Sequence, residues 1–355
     1  MLHTARMPDN GTDFGPGVYI ARHLRRTLAD AEELLDQALT AGAARNDGSG
    51  VARLDEWMLA HPHRDFLRGA IFGTNMETVE RLLRSCRDLT TGLALALDAN
   101  GELRTSLFVL QRALGEAVMR LCYIMDAEVP PARSLARMAA YQIESIEGNL
   151  AAADSFGSHA VEEAVRIKAS ILELQRRLAK GGFELTPDTR RPTLTAAVTL
   201  DGQRENIKFN ATDAFKKYVP GSSWQWELGS GVTHSRGWML SSIVPTVETE
   251  APGTVIDLVV GVGLVVFDLA DAVARVAFSH TGVDVDWFLK KVHSRRRGAI
   301  SWTSSHPNLV GHVEYASRSP EFKAETGHLG ASFQRPAQPP STSRNPAIAG
   351  PEPLR

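Results

Sequence analysis

The stretch ETVERLLRSCRDLTTGLALAL, residues 77–97, decides the fold class. Val79, Leu82, Leu83, Cys86, Leu89, Leu93 and Leu97 recur at spacings of three and four, the period of one helix face, and Asn100-Gly101 closes the run. The same period continues on the far side of that turn. In residues 103–125 it places Leu107, Leu110, Leu114, Val118, Leu121 and Met125 on one side. Two amphipathic helices joined by a short polar turn pack antiparallel, and that pairing predicts a helical bundle.

The pattern extends in both directions. Upstream, Ile20, Leu24, Leu28, Ala31, Leu35 and Ala38 share a helix face. A short helix over residues 51–60 follows and is broken by His61-Pro62-His63. Downstream, Pro130-Pro131 suits the first turn of a helix running to about Ala153, because proline costs little there. Ser158 is the expected cap of the next helix, with Glu162 and Glu163 favouring its dipole and Lys180-Gly181-Gly182 ending it. Residues 194–200 alternate in part, and Asp201-Gly202 is a two-residue hairpin signal with a polar return strand over residues 203–209. An irregular loop remains the alternative there. Ser222 and Gln225 have capping-box spacing for a helix over about residues 223–243. A final helix over residues 284–296 takes Asp284 as its N-cap.

Leu258–Phe267 reads LVVGVGLVVF, ten uncharged residues bounded by Asp257 and Asp268. A spanning helix needs about 20 such residues, so the segment reads as a core helix and no membrane is implied. Its valine-rich first half also fits a buried strand, but the uninterrupted length favours a helix. The expected organisation is a disordered N-terminus over residues 1–16 and a helical domain over residues 17–297. That domain has a candidate sub-boundary near residues 181–192, and a largely disordered tail rich in Pro, Ser, Ala and Gly follows over residues 298–355. The fold class is mainly α, with at most a small β-hairpin near residues 194–209.

The bulk chemistry narrows function by exclusion. The formal charge of −2 leaves no global attraction for nucleic acid. Cys86 and Cys122 are the only cysteines and form no C-x-x-C pair, and the first 17 residues hold no apolar leader, so a cytoplasmic protein is expected. Gly261-Val262-Gly263 lacks the third glycine of a dinucleotide loop, since Val266 stands there, and reads instead as a close helix approach. No phosphate loop, zinc helix or calcium loop occurs, so the sequence names no cofactor and no metal.

Three polar groupings stand out. The run Lys290, Lys291, His293, Arg295, Arg296 and Arg297 ends a helix, where cations suit the dipole, and is also a candidate phosphate-binding patch. Arg112, Glu116 and Arg120 lie at i, i+4 and i+8 among leucines. Trp226, Ser230, His234 and Trp238 repeat every fourth residue. If these last two helices pack together, Glu116 meets His234 and raises its pKa. The plainer reading is a buried polar cluster that fixes helix register.

The same residues carry a resemblance. Leu110–Ala117 resembles the R-x-x-x-E helix of a broad group of uncharacterised, mostly actinobacterial helical proteins, some of them linked to the HEPN-like superfamily. Trp226–His234 resembles their Y-x-x-L-S-x-x-x-H helix, with Trp226 where an aromatic, usually Tyr, is expected. Arg191-Pro192-Thr193 resembles a linker in that group, and the likeness spans roughly residues 75–280. HEPN ribonucleases carry R-x(4–6)-H on one helix. No arginine precedes His234 at that distance, whereas Arg275 and His280 have the spacing, a match that a chain with this much Arg and His yields by chance. The first expectation is therefore a non-catalytic binding or interaction module of HEPN-like character, with a protein or RNA as partner. The alternative is a HEPN-like nucleic-acid binder or ribonuclease. In that case His234 is the acid/base, Arg112 holds an anion, and Glu116 and Ser230 orient the pair.

Overall fold

The computed structural model describes residues 16–60, 65–99, 104–223, 226, 229–230, 233–234 and 252–304. Expectations for residues 1–15, His61, His63, Gln225, Trp238 and the tail from residue 305 lie outside them. The described chain is mainly α. Its helices are α1 (Pro16–Ala44), α2 (Gly50–Leu59), α3 (Asp65–Asp98), α4 (Arg104–Ile124), α5 (Pro131–Ser155), α6 (Val161–Lys180), α7 (Ala211–Tyr218), α8 (Pro252–Thr281) and α9 (Asp286–Ser304).

The deciding stretch is the second half of α3. Gly92 of α3 faces Leu110 of α4, and the two helices form the antiparallel pair that their stripes predict. They serve two cores. One contains Leu93 and Leu97 of α3, Leu107 and Leu114 of α4, and residues of α1, α8 and α9. The other contains Val79 of α3 and Leu121 of α4 with α2, α5, α6 and the sheet. The segment LVVGVGLVVF lies within α8, whose Val260, Val262, Leu264, Val265 and Phe267 are buried. At Gly263 the α8 backbone runs against Ile20 of α1, where a Cβ would collide. No helix among the described residues is long and apolar enough to cross a membrane.

The expected hairpin forms, and its turn explains why. Asp201 and Gly202 both take positive φ, 47° and 77°, the geometry that joins two twisted strands in two residues. The sheet is larger than a hairpin, however. β1 (Glu184–Pro187), β2 (Thr195–Leu200) and β3 (Gln203–Asn206) pair antiparallel in the order β1-β2-β3. β1 falls inside the expected sub-boundary. It is a half-exposed edge strand with a register shift at Thr186/Pro187, so it carries no alternating pattern.

Further corrections have local causes. α3 begins at Asp65 rather than Glu77, because Arg68 and Asn75 are polar yet fully buried and interrupt the apolar stripe. α7 is short and was not expected. Its Asn210 cap accepts from the amides of Thr212 and Asp213 at 3.1 and 3.3 Å. Ser158 does not cap α6, which begins after a 3-10 turn over Gly157–Ala160. Ser222 donates to Asp268 at 2.6 Å, and the other member of its expected capping box, Gln225, lies outside the described residues. Asp284 does accept from the Asp286 amide at 3.0 Å, and α9 continues past Arg296 to Ser304.

Candidate functional site

The Arg112–Glu116–Arg120 stripe divides between two neighbours. Arg120 reaches across to α5, where its Nη1 lies 2.6 Å from Glu144, and its Nη2 lies 3.4 Å from Glu116. Its guanidinium also sits 4.7 Å over Phe209 and 5.5 Å over Tyr141. Burial disfavours the cation, but the hydrogen bond and charge of Glu144, with Tyr141 and Glu116 adding, raise its pKa above the usual arginine value. Arg112 instead lies 4.6 Å over the ring of Trp226. Its Nη1 is buried without a hydrogen-bond partner among the described residues.

Trp226 and Gly229, on the same segment as Ser230, pack against α4. Phe215 packs where a Cβ on Gly115 would stand, at 2.6 Å, and stacks on Trp226 at 4.9 Å. A Cβ on Gly229 would lie 3.3 Å from Arg112 Cβ and 3.7 Å from the Phe108 carbonyl. As the chain advances from Trp226 to Gly229 it moves back along α4. The His234 amide donates to the Ser230 carbonyl at 3.1 Å. Among the described residues no hydrogen bond or ion pair joins Glu116 to His234; Glu116 pairs with Arg120. His234 is exposed, and Ser230 and Glu116 are half-buried.

The basic run on α9 is largely internal cement. Lys291 pairs with Asp30 of α1 at 2.7 Å, and Arg295 bonds both Asp30 and the Thr27 hydroxyl. Arg296 meets Asp268 of α8 at 2.7 Å, and His293 meets Asp271 at 2.8 Å. Burial raises the Asp30 carboxyl, but its hydrogen bonds to Lys291 and Arg295 outweigh that and hold its pKa below the usual value. At Asp268 burial wins over Arg296, and the pKa is raised. Lys290, Lys291 and Arg297 are the exposed members of the run.

The densest polar cluster is one the motifs did not single out. It sits where α4 turns into α5 under β3. Arg137 of α5, 5% exposed, donates to Asp126 at 3.1 Å, to Glu205 at 3.1 Å and to the Tyr123 carbonyl at 3.1 Å. Asp126 also accepts from Lys217 at 2.6 Å, Tyr218 at 2.7 Å and the Glu128 amide at 3.0 Å. Glu205 accepts from Tyr123 at 2.7 Å and from Arg133. Desolvation raises both carboxyls, but their donors outweigh it and hold both pKa values below the ordinary range. The signal was present as an arginine inside the apolar run Leu135–Ala140 and a carboxylate at an inward position of β3.

Beside this cluster, α2, α5 and α8 enclose a small cavity lined by Gly50, Arg53, Asp126, Ser134 and His280. His280 is 3% exposed and its Nε2 has no hydrogen-bond partner. Burial lowers its pKa to about 4, against the Met125 carbonyl, which favours the charged ring. Arg275, its partner in the R-x(4–6)-H spacing, pairs with Asp271. Five residues of helix turn the two side chains roughly 140° apart. No group of three or more His, Cys, Asp or Glu among the described residues is placed to hold a metal ion.

Comparison with protein-family models, with curated proteins and with solved structures returns no match.

Several large apolar side chains are exposed, Phe66 and Leu59 among them, and four lie on or beside α6. Val161, Val165 and Leu172 are 57%, 61% and 67% exposed, and Phe156 at the preceding turn is 68% exposed. At 100° per residue, the three α6 side chains fall within roughly 40° of arc. Ala164, Ile171, Leu174 and Leu178, on the neighbouring arc, are buried against the body. The apolar sector of α6 is thus wider than the face its own fold covers.

Proposed function

We propose that this protein is a non-catalytic helical interaction module of HEPN-like character, working in the cytoplasm, and that its docking face is the outward side of α6. The observation that carries this reading is the exposed apolar stripe Val161, Val165 and Leu172. Single exposed apolar residues are ordinary, but three on one arc with Phe156 beside them, broken only by Lys168, are a candidate interaction surface. Charged side chains elsewhere support a structural role: Arg120, Arg137, Lys291 and Arg296 each tie one element to another. The free thiols of Cys86 and Cys122 suit a reducing compartment.

The test places a photo-crosslinking residue at position 169, beside the stripe, in the full chain within cells. A discrete adduct is expected, and it is lost in the Val165→Glu/Leu172→Glu double variant while that variant keeps wild-type circular dichroism. A folded wild-type chain that gives no adduct, or a double variant that unfolds because the stripe is core, overturns the reading.

A second reading, nucleic-acid binding or cleavage through His234, Arg112, Glu116 and Ser230, is favoured by one observation. His234 is exposed one turn beyond Ser230, on a segment that packs on Arg112, whose Nη1 lacks a partner. RNA cleavage by purified protein, abolished in His234→Ala, is its expected signature. Equal rates in the two proteins remove His234 from any mechanism.

A further inference from the structure

We infer that the outward side of the seam between α1 and α9 binds the phosphate backbone of a nucleic-acid duplex, through Arg22 and Arg26 of α1 and Arg297 of α9. This surface is separate from the α6 docking face and depends neither on that face nor on His234.

The placement comes from packing. Trp287, Lys291 and Arg295 of α9 meet Gln37, Asp30 and Thr27 of α1 in turn, at 3.2, 2.7 and 3.1 Å. A Cβ on Gly298 would lie 3.0 Å from the Tyr19 hydroxyl. The two helices therefore run antiparallel, and the second half of α9 lies beside the first half of α1. Residues 16–29 and 287–304 hold six arginines, two lysines and no Asp or Glu. Packing thus sets two acid-free stretches side by side, and acids return on α1 only at Asp30 and Glu33.

Part of this charge is neutralised from other positions. Arg25 turns to Asp98, Arg296 to Asp268, and Lys291 and Arg295 share Asp30. Arg22, Arg26 and Arg297 are exposed, and among the described residues Arg22 and Arg26 form no ion pair. Elsewhere exposed arginines have a carboxylate one turn away on their own helix, as Arg84 has Glu80 and Arg176 has Glu173. Arg22 and Arg297 have none at that spacing, and Arg26 has only Asp30, already bound by Lys291 and Arg295. Arg22 and Arg26 are instead like charges at i,i+4, which the helix bears at a small cost. His23 lies in the resulting field: burial, then the charges of Arg26, Arg295 and Arg22, lower its pKa.

The chemistry of the surface selects the occupant. Its exposed cations are all arginines, whose planar fork fits phosphate oxygens. Arg22 and Arg26 stand roughly 6 Å apart along α1. Ser294 and Ser301 are exposed on the same side of α9 as Arg297 and add hydroxyl donors of the kind that bond phosphate. Single-strand sites rely on rings for base stacking. Here Tyr19 packs edge-on against His23 at 4.6 Å and Trp287 bonds Gln37, both half-buried. A duplex needs no such platform, because its backbone alone supplies the attraction.

Fluorescence anisotropy of a labelled DNA duplex of about 20 base pairs, titrated with the full chain in about 50 to 200 millimolar salt, tests this. The wild type should bind with a Kd on the order of 1–100 micromolar, and log K should fall against log salt with a slope near about −3, roughly 0.9 for each of the three phosphates. Arg22→Gln/Arg26→Gln should weaken binding about tenfold and flatten the slope by about 2, with wild-type circular dichroism. Arg297→Gln, on the other helix, should flatten it by about 1. Arg166→Gln/Arg176→Gln removes the same charge from α6 and should change neither quantity. No binding at the lowest salt, or an equal loss from the α6 variant, overturns the inference. Displacement by polyglutamate as effective as by unlabelled duplex overturns the phosphate assignment, and tighter binding of a single strand of the same length overturns the duplex. An Arg22→Gln/Arg26→Gln chain that unfolds overturns the site, since those arginines then serve the fold.

Discussion

The α4–α5 junction and the outward face of α6 invert the usual placement of residue types. At the junction, Asp126, Arg137 and Glu205 are charged and nearly sealed from water. On α6, Val161, Val165 and Leu172 are apolar and mostly open to it. The buried charges hold because each meets several partners from different elements, which offsets a desolvation cost that one pair alone seldom recovers. The exposed apolars have no such account within the chain. The junction is therefore explained by the fold, whereas the α6 face is the one the proposed partner would cover.

Arg137 offers the strongest way to break this comparison. Arg137→Met keeps most of the volume but leaves Asp126 and Glu205 without their shared cation. Removing one member of a buried ionic group costs about 3–5 kcal/mol. Urea denaturation should show a loss of that size. A change below about 1 kcal/mol would mean that Lys217, Tyr218, Tyr123 and Arg133 suffice, and that the junction is less demanding than its burial suggests.

A pH series separates the junction from its neighbour His280. An unfolded histidine titrates near 6.5, and His280 in the fold titrates near 4. Between these values the unfolded chain binds more protons, so stability falls as pH drops from about 6.5 towards 4, by an amount on the order of 3 kcal/mol, and is level above that window. Asp126 and Glu205 are depressed, so their contribution is complete above the ordinary carboxylate range and is lost only as pH falls through their lowered values. Denaturation midpoints measured from pH 7.5 to 4.5 should slope in the wild type and flatten in His280→Gln. An unchanged slope in the variant would assign the acid sensitivity elsewhere.

These contrasts also mark what the sequence made legible. The helices with clean three-and-four periodicity, α1, α4 and the second half of α3, were readable because nearly every buried position was apolar, Thr27 and Gln111 being the exceptions. The hairpin turn was readable because Asp201-Gly202 suits positive φ. Where burial and polarity part company, the reading failed. Arg68 and Asn75 hid the first half of α3, and Arg68 is buried because its Nε donates to the Gly181 carbonyl at 3.2 Å and its guanidinium lies 4.5 Å over Trp57. The ion pairs that hold part of the basic run were not readable, because their acidic partners lie on other helices, Asp30 on α1 and Asp268 and Asp271 on α8. Spacing placed Glu116 and His234 each on a helix face but could not say which neighbours those faces meet; Glu116 pairs with Arg120. The stripe on α6 was missed for the opposite reason: an apolar residue at helical spacing reads as core whether or not the fold covers it.

The smallest effect is the sharpest test of that last point. Leu172 and Leu174 stand two residues apart on α6 and are indistinguishable by residue type. Leu174 is 6% exposed and packs with Leu178 and Phe183, whereas Leu172 is 67% exposed. Leu174→Ala should cost about 2–4 kcal/mol, the range for a buried leucine. Leu172→Ala should lie within about 0.5 kcal/mol of zero for the monomer, since nothing is uncovered. Denaturation at a protein concentration of about 1 micromolar keeps any association from adding to the measured stability. If Leu172→Ala costs as much as Leu174→Ala there, α6 is covered on both faces within one chain, and the contrast with the α4–α5 junction disappears.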